Sequence, residues 1–451
     1  MNTFNGHSFI FWKKMQVLKK ISLFLVLFLV VGCERFMPTE SDGLIIRSGY
    51  ERNLGSAESA DQYMITDFST TTTAESFKTA MLLPLTGRAS AYGQGMKNAA
   101  MMALEDTDNA RLSVRFYDTQ SSSFGAESAV RKALEDGNDL ILGPLLSEEV
   151  SAVTPLAQSH SVPVISFSTS PNVLKEGVYT LGLLGDEQIE RVISYAARQG
   201  RSNIAVLVPD SASGMNMAKS AVEAAEKSGI HVVKIGFYPP ETMDFSDIVG
   251  KMTQSGGDKP DFDAVLIPES GNRLKSAAAM FGYNDVAYPD VLFMGTSVWE
   301  NTPLLKETTL YHAVYPALSR VHGQYFNKKY ENLFGELPNS LYSFAYDGVA
   351  LASALSRKDR SLLAQNITDS DGYIGLNGVF RIYSDGENRH SLEIVEVLPS
   401  GLKTIDPAPE KPFRSVENQT SAYGINTYYP TSRPRIYGKD SSLIYQQLFG
   451  F

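Results

Sequence analysis

The chain has 451 residues, of which 43% are hydrophobic and 20% charged. That is the composition of a folded protein and excludes a disordered or collagen-like chain. Asp plus Glu is 50 against 40 for Lys plus Arg, a net charge of −10, so a large basic footprint for nucleic-acid phosphates is excluded as well. The lone cysteine, Cys33, rules out intrachain disulfides and Cys-based zinc or iron–sulfur sites. The six histidines show no HExxH or other close ligand spacing and read as surface or packing residues. No metal and no cofactor is expected.

Lys13, Lys14, Lys19 and Lys20 lead into an apolar run from Ile21 to Val31, too short for a comfortable bilayer span. A basic start, a short apolar stretch and a small residue before the break make a secretory signal over 1–32. An uncleaved membrane helix is the other reading. Val30-Val31-Gly32-Cys33 resembles the lipobox of bacterial lipoproteins, with Val30 where Leu is usual. The resemblance implies that Cys33 is acylated and that the chain is periplasmic, held to a cell-envelope membrane. Glu34 after Cys33 is compatible with outer-membrane sorting, and Met15 could be the true start. Residues 33–77, with Ser69 and Thr70–Thr73, have no sustained periodicity and read as a tether.

From Lys78 short apolar strands alternate with amphipathic helices. Strands are expected at Thr79–Pro84, Leu112–Tyr117, Leu140–Leu142 and Val162–Phe167. More follow at Ile204–Val208, Val232–Phe237, Ala264–Ile267 and Val291–Met294. Helices fall between, at about Gly95–Asp106, Ala126–Glu135, Glu187–Arg198, Met215–Ser228 and Arg273–Phe281. This alternation predicts an α/β fold of doubly wound, mostly parallel sheets with helices on both faces, in two lobes. After Tyr315 helices take over, at Ser319–Phe334 and Ser343–Arg357. Gly378–Tyr383 and Leu392–Leu398 read as a hairpin around a Ser-Asp-Gly-Glu-Asn turn. The division is a first lobe over 78–183, a second over 184–316, return helices over 317–360, a hinge and closing hairpin over 361–405, and an irregular Pro- and Tyr-rich tail over 406–451.

Four blocks, in order, resemble the type I periplasmic solute-binding proteins of the Leu/Ile/Val-binding kind. They are Leu83-Pro-Leu-Thr-Gly87 with Tyr92-Gly-Gln-Gly-Met96; Leu142-Gly-Pro144 with Ser147 and Val162–Ser166; Ser343-Phe-Ala-Tyr346-Asp347-Gly; and Gly372–Phe380. Val164–Ser168, Pro239-Pro240 with Asp244-Phe245, and Gly295-Thr296 with Trp299 look most like the penicillin-binding-protein-activator branch. That likeness implies a regulator of peptidoglycan synthesis with penicillin-binding proteins as partners. The alternative is the receptor of an ABC importer for branched-chain or other amino acids, with a permease as partner.

The resemblance implies a two-lobed cleft closing on a small amino-acid-like ligand. By position it points to Tyr92, Ser147, Ser166, Ser168, Thr169 and Ser170 from the first lobe. Ser213, Glu269 and Thr296 are the candidates of the second lobe, with Tyr346 and Asp347 near the crossover. Each has a plainer reading. Ser147 could be an N-cap, Ser168–Ser170 a turn before Pro171, Tyr346 a packing residue and Glu269 a solvated loop carboxylate. Gly93 and Gly95 read as residues that turn the chain into its helix. Phe167 stands where amino-acid binders have Pro, and Ser211-Ala-Ser-Gly214 lacks their usual aromatic residue before the glycine. No catalytic group is expected: there is no GxSxG elbow, no penicillin-recognising motif and no P-loop.

Overall fold

The computed structural model describes residues 76–257 and 259–409 and the backbone of 435–438; all lie within the unit Ile65–Phe451. The signal, Cys33 and almost all of the tether fall outside the described residues.

The chain begins with β1 (Phe77–Leu83), α1 (Ser90–Thr107), β2 (Leu112–Asp118), α2 (Ser123–Glu135), β3 (Leu140–Leu142), α3 (Ser147–Ser159), β4 (Val164–Ser166) and β5 (Val178–Thr180). These strands form a parallel sheet in the order β2-β1-β3-β4-β5. Next come α4 (Gly185–Arg198), β6 (Asn203–Pro209), α5 (Ala212–Lys227), β7 (His231–Tyr238), α6 (Ser246–Thr253), β8 (Ala264–Leu266), α7 (Gly271–Tyr283), β9 (Leu292–Met294) and β10 (Val314–Ala317). Their strands repeat the pattern as β7-β6-β8-β9-β10, again parallel. Three helices follow, α8 (Arg320–Phe334), α9 (Tyr342–Leu355) and the short α10 (Leu363–Ile367). A small antiparallel sheet of β11 (Tyr373–Gly375), β12 (Gly378–Ile382) and β13 (Asn388–His390) precedes β14 (Glu393–Leu398) and β15 (Gly401–Asp406).

Each sheet is apolar on both sides and packs helices on both, as doubly wound folds must. In the first lobe α2 and α3 cover one face through Val130, Val150 and Val153. The other face takes α1 together with α8 and α9, through Met96, Phe326 and Val349. Helix α9 is buried nearly all round because it lies between α1 and the sheet, which explains its apolar sequence. In the second lobe α4 and α5 cover one face and α6 and α7 the other. The chain therefore passes between lobes three times, before α4, before α8 and before β14.

Four expectations are corrected. The second arm of the expected hairpin is β13, paired with β12, whereas Leu392–Leu398 mostly belongs to β14 and joins β10 in the second sheet. No strand is expected at Val314–Ala317, where β10 completes the second parallel sheet; the helix expected from Ser319 follows it at Arg320. Four residues of the tail, Arg435–Gly438, form strand β16, antiparallel to β7. Finally, α1 starts at Ser90, so Gly93 and Gly95 are helical and do not turn the chain. A Cβ at 93 would overlap the Pro84 carbonyl, and one at 95 the Tyr342 ring. Close approach, not backbone freedom, requires both glycines.

Candidate functional site

Parallel strands bring their C-terminal ends, and the loops that follow, to one end of each sheet, where open α/β folds bind ligands. Here the two lobes turn those ends toward a shared cleft with a volume of about 630 Å³. The first lobe contributes Tyr92 from the first turn of α1 and Thr169 and Ser170 from the loop after β4. The second contributes Ser213 at the start of α5 and Thr296 after β9. Five of the expected residues thus meet in one place.

Local bonds fix these loops. Ser168 Oγ accepts the Ser170 N–H at 3.2 Å, and the Thr180 hydroxyl donates to the Ser168 carbonyl at 2.6 Å. Ser211 Oγ accepts the Gly214 N–H at 3.1 Å and caps α5, which leaves Ser213 exposed on the first turn. Gln188, on the crossing helix α4, accepts the Ser297 N–H at 2.8 Å and donates to the Leu184 carbonyl at 3.1 Å. It ties the Thr296 loop to the lobe crossing.

The remaining expected residues lie elsewhere. Ser147 is exposed at the start of α3, outside the cleft lining, and is not the cap: the Glu149 carboxylate closes that turn by accepting the Leu146 N–H at 3.3 Å. Ser166 is fully buried in β4. Ser168 is buried and holds the loop that presents Thr169 and Ser170. Glu269 is buried too, not a solvated loop carboxylate: it accepts the Tyr238 hydroxyl at 2.6 Å and pairs with Arg273 at 2.9 Å. Tyr346 donates to Asp106 at 2.8 Å, between α9 and α1. Asp347 accepts the Leu376 N–H at 2.7 Å and the Asn377 side-chain amide at 2.9 Å, pinning the β11–β12 turn to α9. Burial pushes its carboxyl up to about 6 against those bonds. Phe167, the residue in place of Pro, is buried with its ring close to Gly143 and Gly348.

Other lining residues were missed. Asn216, Lys219, Ser220 and Glu223 continue Ser213 down one face of α5, a polar stripe at helical spacing that the sequence displays. Asp186 and Gln188 sit at the start of α4, at the crossing. Asn339, Ser340 and Phe344 come from the loop before α9 and from α9 itself, and nothing local marks them.

Three of the four charged residues that line the cleft have a charged partner. Asp186 bonds the buried Arg389 of β13 at 2.8 Å, and Lys219 lies 3.9 Å from Glu223. Burial holds the Glu223 carboxyl above its ordinary value. Arg389 is held in its charged form by the carboxylates of Asp186, Glu187, Glu387 and Glu190 despite its burial. Among the described residues no histidine lines the cleft, and no group of three or more His, Cys, Asp or Glu is placed to hold a metal.

Two lobes of one strand order facing a polar cleft define a binding-protein fold. The chain belongs to the periplasmic binding protein family, which matches residues 76–401. It is 24% identical over 194 residues to a leucine-, isoleucine-, valine-, threonine- and alanine-binding protein of Pseudomonas aeruginosa, covering 41% of this chain and 52% of that one. The matched stretches span from a third to just under two thirds of the curated relatives. The fold is similar to that of a putative branched-chain amino acid ABC transporter protein from Rhodospirillum rubrum, with TM-score 0.65 and 18% identity, over 73% of this chain and all of that one. It is also similar to a solute-binding protein of an ABC transporter from Rhodopseudomonas palustris, solved with 3,4-dihydroxybenzoic acid, with TM-score 0.56 and 18% identity, over 74% and 96% of the two chains.

Proposed function

We propose that this protein is a non-catalytic solute receptor of the cell envelope, anchored through Cys33, which closes its lobes over a small ligand and presents the closed form to an ABC permease. The observation that carries this reading is the cleft itself, where hydroxyl and amide side chains of both lobes face one volume of about 630 Å³. A ligand touching both walls stabilises the closed arrangement by its differential affinity for it. Relatives described as amino-acid binders support the class.

A second reading is the penicillin-binding-protein activator. In its favour, Phe167 stands where amino-acid binders have Pro and Ser213 offers no ring before Gly214, both departures from an amino-acid receptor. Phe245 and Trp299, two of the residues that point to that branch, do not separate the two readings, because they pack the second lobe: the Phe245 and Tyr238 rings meet edge-on at 4.8 Å, and the Trp299 indole donates to the Ile267 carbonyl at 2.9 Å.

A thermal-shift panel of amino acids, aromatic acids and cell-wall fragments tests the receptor reading. A ligand at ~100 times its Kd adds roughly 2.7 kcal/mol. A stabilising ligand that also compacts the protein in solution scattering supports it. Silence across the panel, with capture of penicillin-binding proteins, replaces it by the activator.

A further inference from the structure

Resting on the receptor reading, the chemistry of the cleft wall narrows the ligand. A free amino acid carries an ammonium group that must be met by an uncommitted carboxylate or by several carbonyl oxygens. Glu269, the carboxylate among the second-lobe candidates, lies outside the cleft lining with both oxygens engaged. Four charged residues do line the cleft, and each has an interaction partner. Asp186 pairs with Arg389 through Oδ2, while its Oδ1 is buried without a hydrogen-bond partner among the described residues; Lys219 lies 3.9 Å from Glu223 in a half-exposed pair, and Glu300 also has an interaction partner. Breaking the largely buried Asp186–Arg389 pair to admit an ionic group costs the ligand more than it returns, whereas the half-exposed Lys219–Glu223 pair contributes little either way.

What the wall offers instead is uncharged. Asn172, Asn216 and Asn339 bring carboxamides, and Ser170, Ser213 and Ser340 bring hydroxyls, drawn from both lobes. Such groups donate and accept at once, which matches ligand hydroxyls and acyl amides. Two rings, Tyr92 and Phe344, add apolar surface for C–H faces. The volume of about 630 Å³ falls in the range that takes drug-sized ligands, roughly 300–1,000 Å³.

We infer that the cleft selects an uncharged ligand rich in hydroxyl and amide groups and longer than one residue, of the class of short N-acylated oligosaccharides. The inference departs from the amino-acid binding described for the relatives and follows from the uncharged hydroxyls and carboxamides that both lobes bring to the wall.

Titration calorimetry on the full-length chain tests it, with the N-acetylglucosamine trimer, the cationic glucosamine trimer, leucine and benzoate as probes. The expected result is that the acetylated trimer binds at least about tenfold more tightly than the other three. Its Kd should change less than about twofold between 50 and 500 mM NaCl, because no ion pair is formed or lost. Asn216→Ala, on an exposed position of α5 that the fold does not need, should weaken the trimer roughly five- to tenfold, the loss of a hydrogen bond to a neutral group. Tighter binding of leucine or benzoate overturns the inference and leaves the receptor reading standing. Unchanged affinity of Asn216→Ala for the trimer also overturns it. No binding of any probe overturns the inference, and the wider thermal-shift panel then decides the receptor reading.

Discussion

The two lobes are built on one plan and diverge where the plan meets the cleft. In each, the first strand ends at a proline whose carbonyl oxygen lies against a glycine in the next helix: Pro84 on Gly93 in the first lobe, Pro209 on Gly214 in the second. The residue before that glycine is carried to the cleft in both cases, Tyr92 in one and Ser213 in the other. The equivalence locates the freedom to vary. The glycines are fixed by contact with a backbone atom that cannot move aside, while the preceding residue faces open space and can change with the ligand.

The plan breaks when its glycines gain a side chain. Gly93→Ala and Gly214→Ala each press a Cβ into a main-chain carbonyl, and each should cost about 3 kcal/mol, the upper end of overpacking penalties. Urea unfolding of the two variants measures this. Similar losses confirm that the contacts are equivalent; a loss below about 1 kcal/mol at either position means that the helix shifts to make room. Gly95 stands apart, because its neighbour is the ring of Tyr342 and not backbone. Gly95→Ala should be partly rescued by Tyr342→Ala.

Between lobes the next contrast is Asp347, which has no counterpart with a similar role described in the second lobe. Burial raises its folded-state carboxyl to about 6 from 3.8. A raised carboxyl binds a proton in the folded state over a range where the unfolded chain has released it. Stability from this group is therefore complete below pH 3.8 and disappears as the pH rises through 6. The size is on the order of 2–3 kcal/mol. Urea midpoints from pH 4 to pH 7 should fall more steeply for the natural protein than for Asp347→Asn, whose side chain does not titrate. Parallel pH profiles would show that the three N–H groups bonded to Asp347 outweigh its burial.

Most strands and helices were legible because their apolar spacing is local. Leu140–Leu142 is a strand in sequence and structure alike, and α4 shows its buried stripe through Ile189, Val192, Ile193 and Ala196. Pairing was less legible. Leu392–Leu398 alternates like the second arm of a hairpin, but nothing in its own residues says that β13 has taken that place and that β10 awaits it in the other sheet. The cleft was half legible. Thr169 and Ser170 follow a strand whose C-terminal end any doubly wound fold puts at the site, and they were found. Glu269 has the same kind of position and was misplaced, because its fate depends on Tyr238 and Arg273, one of them in another strand. Asn339 and Ser340 reach the cleft only because the chain returns to the first lobe, an event set by packing over long separation.

The loop after β9 in the second lobe depends on a residue of the crossing helix, unlike the loop after β4, which is held within its own lobe by Ser168 and Thr180. Gln188→Ala removes the acceptor of the Ser297 N–H. Global stability should drop by about 1–2 kcal/mol, the cost of leaving a partly buried donor unpaired. Ligand affinity should fall with it, because Thr296 is carried on the same loop. A variant with unchanged affinity would show that the loop keeps its place without α4.

The smallest expected effect tests the freedom assigned to the residue before the glycine. Ser213 is exposed and its side chain makes no cap, since Ser211 does that work. Ser213→Tyr should leave stability within about 0.5 kcal/mol of the natural protein, as exposed positions outside caps and cores do. It would also give the second lobe the ring that the first already has in Tyr92. A ring facing Tyr92 across the cleft adds covering surface for a flat or apolar ligand, worth on the order of 1 kcal/mol, or about fivefold in Kd. If leucine or benzoate gains that factor in the variant, the serine is a determinant of ligand choice set on a geometry of strand, proline and glycine that the two lobes share. If stability collapses instead, the position is not free, and the likeness between the two strand-to-helix turns ends at their glycines.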